Sequence, residues 1–284
     1  MPILTELTLY PIKSCGGISL REATLTEAGL MSDFIYDREW MVVDAQGQFM
    51  SQRDYPKMAL ITPRIKGETL ELRAPGMLRL EIPLDLPDPE AASSVEVQVW
   101  DDTVKAYDCD ETTATWFSNA IGVPCKLVRF HAHAKRFANT QWTGDIKAPT
   151  LFSDGFPLLV ISQASLDDLN QKLLAQGRDA LPMDRFRPNI VIGDVGAFEE
   201  DHAATLRMGN VLLKPVKPCE RCTMPSVDQS KGAMATDPLD ILQTYRSNPK
   251  CNGAITFGMN AIVCEGDGVA LSVGQSLQGE IDFG

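Results

Sequence analysis

The sequence predicts a mainly β protein with a few short helices, of the α+β kind. Short runs of alternating or β-branched residues recur along the 284 residues. Gly, Pro, Asn and Asp separate them at the spacing expected of a barrel or sandwich. Helical signals are confined to three stretches, near residues 110, 165 and 239.

In chain order, Leu4–Pro11 reads as a strand that ends in Lys13-Ser14-Cys15-Gly16-Gly17. The glycines leave the backbone free to approach a ligand closely, and a Lys beside a Ser hydroxyl suits a phosphate. Ile18–Thr26 alternates as a second strand, and Asp37-Arg38-Glu39-Trp40 leads into a third. Arg38, between two acids, reads as half of a surface ion pair. Ser51–Pro56 is loop-like, Met58–Ile65 is a strand candidate, and Thr69–Arg73 with Met77–Ile82 form a hairpin around Pro75-Gly76. Leu84–Ser94 is a polar surface loop, and Val95–Val99 turns at Trp100-Asp101-Asp102 into Val104–Tyr107.

Asp110 is an N-cap for a helix that runs to Ile121 and stops at Gly122. Lys126–Phe130 is a strand, and His131–Pro149 is a loop whose histidines are expected in solvent. Phe156–Ile161 is a buried strand. Ser165-Leu166-Asp167-Asp168 looks like a capping box, and the helix start with Ser162 and Ser165 is a candidate anion site. Arg187, pinned by Pro188, offers a planar fork suited to phosphate. Strands follow at Ile190–Ile192, Thr205–Met208, Val211–Val216, Phe257–Cys264 and Val269–Val273, with a helix over Leu239–Arg246.

Between two of those strands lies Lys217-Pro218-Cys219-Glu220-Arg221-Cys222-Thr223, a basic loop with two thiols in CxxC spacing. Cations beside a thiol favour its thiolate, the species that attacks electrophiles and binds metals. A zinc site needs about four ligands, and a thioredoxin-like pair wants a following helix. A single metal-ligating thiolate and a pair of buried thiols are the other readings.

Composition bounds the rest. Apolar residues make up 44% of the chain, enough for a sizeable core. The net charge of −12 argues against sequence-independent nucleic-acid binding while leaving room for a local basic pocket. Seven cysteines in so long a chain are not a secreted disulfide framework. With no signal-peptide pattern and no membrane-spanning run, the expected compartment is the cytoplasm.

These scattered signals converge. Tyr10-Pro11-Ile12-Lys13-Ser14, Asp37–Trp40, Asp154-Gly155-Phe156-Pro157, Ser162–Leu169, Phe186-Arg187-Pro188-Asn189, Cys219–Thr223, Phe257–Asn260 and Gly268–Gly274 occur in order. Together they resemble MOSC-domain proteins that carry an N-terminal β-barrel domain, in the style of the amidoxime reducing components and their bacterial counterparts. The resemblance implies an N-terminal domain over residues 1–122 and a MOSC domain over 123–284, with the first strand pairing into the second barrel. It implies a molybdenum cofactor, a pterin dithiolene with Cys222 as protein thiolate. Lys13, Ser14, Arg38 and Arg187 would hold the pterin and its phosphate, and Asp154, Gly155 and Asn189 would shape the pocket. The implied activity is reduction of small N-hydroxylated or N-oxygenated molecules, amidoximes, hydroxylamines or hydroxylated purines. Cys251 and Cys264 do not form an iron–sulfur motif, so electrons are expected from a separate ferredoxin, flavodoxin or cytochrome b5-like protein with its reductase. A cofactor or sulfur carrier, with Cys219 and Cys222 handling a persulfide, is the alternative.

Overall fold

The computed structural model describes residues 1–86, 88–90 and 92–281. Pro87 and Ala91, both in the expected surface loop, lie outside the described residues. The chain is mainly β with few helices, as its composition of short strands predicts.

The largest sheet orders its strands as Ile18–Leu20, Ile3–Leu9, Ile190–Gly193, Leu158–Ser162, Ala254–Glu265, Val211–Glu220, Ala203–Met208 and Gln278–Ile281. Leu158–Ser162 and Ile190–Gly193 run parallel, joined by the helix Gln163–Ala175. That follows from the general rule that parallel neighbours need a crossover. The sheet curls because the segment before its last strand returns to its first. Leu4 N donates to Gln275 O at 2.9 Å, and Gly274 N donates to Leu4 O at 2.7 Å.

The preceding half contributes a four-stranded sheet of Ser94–Val99, Asp102–Asp108, Lys126–Phe130 and Trp40–Val43, and a meander of Thr62–Lys66, Thr69–Arg73 and Leu80–Pro83. The two halves exchange strands. Ile3–Leu9 pairs with Ile190–Gly193, and Ala270–Ser272 pairs with Glu22–Thr26. One continuous core therefore holds Leu25, Trp40 and Phe117 together with Leu158, Leu213 and Leu271.

Several expectations are corrected. The run from Ile18 to Thr26 is two strands, split at Arg21, that enter different sheets. Met58–Ile65 begins as the 3-10 turn Pro56–Leu60, opened by a proline that already has helical φ, and becomes a strand only at Thr62. The capping residue of the Gln163–Ala175 helix is Ser162, three residues before the expected box. Its hydroxyl accepts from Ser165 N at 3.1 Å. His131 is fully buried and stacks on Tyr107 with ring centroids 4.4 Å apart. The strand expected to stop at Val216 continues to Glu220, with register breaks beside Pro215 and Pro218, neither of which has an N–H for the ladder. The helix over Asp110–Gly122 forms as expected, with Asp110 capping Thr113 N and Gly122 left-handed.

Gly258 interrupts its strand at φ +77°, and a Cβ there would sit 2.9 Å from Val160 O. Gly258→Ala is expected to cost more than about 1 kcal/mol, because both the conformation and the space exclude a side chain. A fall in the denaturant midpoint at unchanged m would register it.

Candidate functional site

A cavity of about 720 Å³ opens between the two halves. Lys13, Ser14, Arg38, Asp154, Gly155, Arg187, Asn189 and Cys222, drawn from five separated segments, all line it.

Backbone contacts bring these segments side by side. Lys13 N donates to Trp40 O at 2.8 Å and Arg38 N to Tyr10 O at 2.7 Å, so the Tyr10–Ser14 piece lies along Asp37–Trp40. Phe152 N then donates to Arg38 O at 3.0 Å, which brings in the Asp154 turn. Ser14, Arg38 and Arg187 all hold left-handed φ, at +64°, +52° and +56°. A non-glycine residue in that region costs on the order of 1–3 kcal/mol and persists only where its surroundings enforce it. Three such residues on one cavity wall mark it as a place where side-chain direction outweighs local comfort.

A buried polar network fixes the cationic wall. Asp37 is fully buried. Its Oδ1 accepts from Tyr10 N at 2.9 Å and from Asn189 Nδ2 at 3.0 Å, and its Oδ2 accepts from Arg38. Burial raises the Asp37 pKa, and the Arg38 charge opposes that rise. Asn189 uses its whole amide. It also donates to Thr8 O at 3.2 Å and accepts from Leu159 N at 3.2 Å and Arg38 Nη1 at 3.1 Å. It shapes the pocket rather than reaching into it. Both guanidiniums lie over the Tyr10 ring, Arg38 at 4.4 Å and Arg187 at 4.2 Å. Burial pushes the Tyr10 phenol up to about 12, so it is a neutral platform for them. Arg38 is thus no surface pair, and Glu39 instead pairs with Arg129 at 2.6 Å in the interior.

Lys13 donates to Phe152 O at 2.9 Å and to Asp154 Oδ1 at 2.6 Å. Burial lowers its pKa, against the pull of Asp154. Arg187 Nη2 is buried and, among the described residues, has no hydrogen-bond partner. An unpartnered buried donor on a cationic wall is the arrangement an anionic group would complete.

The cysteine segment also lines the cavity. Arg221 donates to Phe257 O through Nε at 2.9 Å and to Phe186 O through Nη1 at 3.0 Å. Lys217 Nζ pairs with Glu220 Oε1 at 2.7 Å. The flanking cations are therefore engaged in holding the loop. Cys219 is half-buried and packs against the Phe186–Phe257 core. Burial raises its pKa, and Arg221 and Lys217 only partly offset that rise. Cys222 is exposed and lines the cavity. Among the described residues no three His, Cys, Asp or Glu side chains converge as a metal-ligand set. Cys219 and Cys222 both line the cavity, and Cys222 is the more exposed of the two thiols.

The candidate anion site at Ser162 and Ser165 lies elsewhere. Ser165 Oγ donates to the buried Glu200 at 2.7 Å, and Ser162 N donates to the same carboxylate at 3.0 Å. The protein's own carboxylate satisfies that helix start. Phe49, Arg53 and Trp100 also line the cavity; the sequence places Arg53 in a loop and Trp100 in a turn, and singles out nothing at Phe49. A Trp in a two-residue hairpin turn, where Gly or Asn is usual, was the available signal.

The family described as the MOSC N-terminal beta barrel domain matches residues 1–124, and the MOSC domain matches residues 147–278. Mitochondrial amidoxime reducing component 2 of Bos taurus is 34% identical over 247 residues, covering 86% of this chain and 72% of that protein. Mitochondrial amidoxime-reducing component 1 of Homo sapiens is 34% identical over 248 residues, with the same 86% and 72% coverage. Molybdenum cofactor sulfurase of Oryza sativa subsp. japonica is 33% identical over 271 residues, covering 90% of this chain and 32% of that protein.

Asn189→Ala removes partners from Asp37, Leu159 N and Arg38 together, and is expected to cost on the order of 3 kcal/mol, read from the denaturant midpoint. The thiols should also separate by access. Burial pushes Cys15 up to about 12. Brief iodoacetamide treatment of the native, metal-free protein at pH 8 is expected to label Cys222 first and leave Cys15 unmodified, as mapped by peptide mass spectrometry.

Proposed function

The chain belongs to the MOSC family, with its N-terminal beta barrel domain, and on that premise we propose that it is a molybdenum-cofactor-dependent oxidoreductase acting on small N-oxygenated molecules. One observation carries this reading. The same cavity is lined by an exposed thiol, Cys222, and by a cluster of cations in which Arg187 keeps a buried, unpartnered donor. A pterin dithiolene with a terminal phosphate has complementary ends, a metal for the thiolate and an anion for the guanidinium.

The residues fit such a group. Arg187, Arg38, Lys13 and Ser14 would hold its anionic end, with Asp37 and Asn189 keeping the guanidiniums in place. Cys222 would ligate molybdenum, and Cys219 would support the loop from the core side. When bound, the cofactor supplies the two-electron chemistry that reduces an N–O bond. The protein's part is to orient the substrate at the cavity mouth and to stabilise negative charge there. Two relatives are named for amidoxime reduction, and amidoximes, hydroxylamines and hydroxylated purines are the substrate classes proposed here. Electrons would come from a separate ferredoxin, flavodoxin or cytochrome b5-like protein. The proposed division is residues 1–122 and 123–284, and the proposed compartment is the cytoplasm. Among the described residues no helix is long and apolar enough to cross a membrane.

A second reading has its own support. Similarity to the cofactor sulfurase extends over 90% of this chain, which favours a cofactor or sulfur carrier. Turnover of benzamidoxime with a chemical reductant supports the reductase, and persulfide transfer without turnover supports the carrier.

Molybdenum per chain, measured for wild type and Cys222→Ala from one cofactor-competent host, is the test. Near-stoichiometric metal in wild type and lost or altered molybdenum–sulfur ligation in the variant are expected. Identical metal content and spectra in both would overturn the assignment of Cys222, and no metal in either would overturn the molybdenum reading.

A further inference from the structure

Trp100 occupies a position that its local structure does not favour. Val99 and Asp102 are paired across the hairpin, which leaves Trp100 and Asp101 as its two turn residues. Trp100 is the first of them and has φ +55°. Turns of this length fill such a position with Gly, Asn or Asp, and a bulky ring there is an outlier. The surroundings hold it in place. Its Nε1 donates to Asp154 Oδ1 at 3.0 Å, the Phe49 ring lies 4.9 Å away, and the Arg53 guanidinium lies 4.7 Å from the indole. Yet Trp100 remains 44% exposed, and it lines the cavity.

Arg53 adds a second unusual feature. Its Nε donates to Ser51 Oγ at 3.1 Å, and among the described residues no carboxylate pairs with it. The rim thus joins a large aromatic surface to a cation whose charge is not neutralised. Planar rings gain from such surfaces by stacking, and a polar ring edge gains from a guanidinium. A saturated ring of equal size gains neither.

We propose that Trp100, backed by Phe49 and Arg53, is the specificity-determining platform at the mouth of this site, selecting planar aromatic N-oxygenated substrates over saturated ones. The platform belongs to the N-terminal half, whereas Cys222 belongs to the C-terminal half. Recognition and ligation would then be divided between the two. This inference rests on the reductase reading of the cavity, and the experiment separates the two.

The probes are benzamidoxime and cyclohexanecarboxamidoxime, which share the reacting group and differ in ring planarity. Their dissociation constants are measured by calorimetry on molybdenum-loaded wild type, Trp100→Gly and Trp100→Phe, with molybdenum content determined for each. Glycine suits the turn, so the first variant keeps the hairpin, and phenylalanine keeps a ring without the N–H. Wild type is expected to prefer benzamidoxime about tenfold, a stacking-sized difference. The preference should fall below about twofold in Trp100→Gly and stay above about threefold in Trp100→Phe. An unchanged preference in Trp100→Gly, or none in wild type, overturns the proposal. So does a Trp100→Phe that behaves as Trp100→Gly, since the bond to Asp154 would then be responsible. Loss of molybdenum from Trp100→Gly also overturns it, because the ring would then serve the cofactor. Trp100-dependent binding without reduction of either probe leaves the platform standing and removes the reductase reading. Reduction without the preference does the reverse.

Discussion

A carboxylate buried without compensation is among the most costly things a fold can contain. Asp37 is fully buried, and its three donors come from Tyr10, Arg38 and Asn189. No one stretch of chain could supply them. The first strand, the segment before Trp40 and the start of the Ile190–Gly193 strand must all be in place before the charge is satisfied. The cavity inherits its geometry from this requirement. Arg38 is aimed by Asp37 and Asn189, both guanidiniums rest on the Tyr10 ring, and Tyr10 is itself tied to Asp37 through its backbone.

The strand exchange extends the same dependence to the whole molecule. Ile3–Leu9 lies in the sheet of the C-terminal half, and Ala270–Ser272 pairs with the N-terminal half. The wall that carries Lys13 and Ser14 is therefore continuous with the sheet that carries Cys219 near the end of its Val211–Glu220 strand. A shared core beneath both keeps the cavity from widening independently of the fold.

The parts of this structure that were legible in the sequence are those whose signals are local. Asp110 and Gly122 bound their helix because capping and left-handed termination are properties of single residues. Lys13, Ser14, Arg38, Arg187 and Cys222 stood out as polar or basic groups at strand ends, and their family pattern supplied the common destination. What was hidden depended on partners far along the chain. Glu39 and Arg38 are adjacent acid and base, yet Glu39 pairs with Arg129 and Arg38 turns to the cavity. The serines that begin the Gln163–Ala175 helix resemble an anion site until Glu200, 35 residues beyond Ser165, is seen to fill it. Cys219 sits in basic company, but burial outweighs the charge, and burial cannot be read from neighbours in sequence. Trp100 looked like a turn residue because the cavity beside it is built by other segments.

Arg221 has a consequence beyond holding its loop. Its fork grips the carbonyls of Phe257 and Phe186, and Phe186 immediately precedes Arg187. One side chain thereby links the position next to the thiol of Cys222 to the position next to the Arg187 guanidinium. These two poles of the cavity are held relative to each other by the hydrogen bonds of one side chain rather than by two independent loops. A ligand that engages both poles must match that span. Such a ligand would be selected by its length, as by a caliper, in addition to the chemistry at each end.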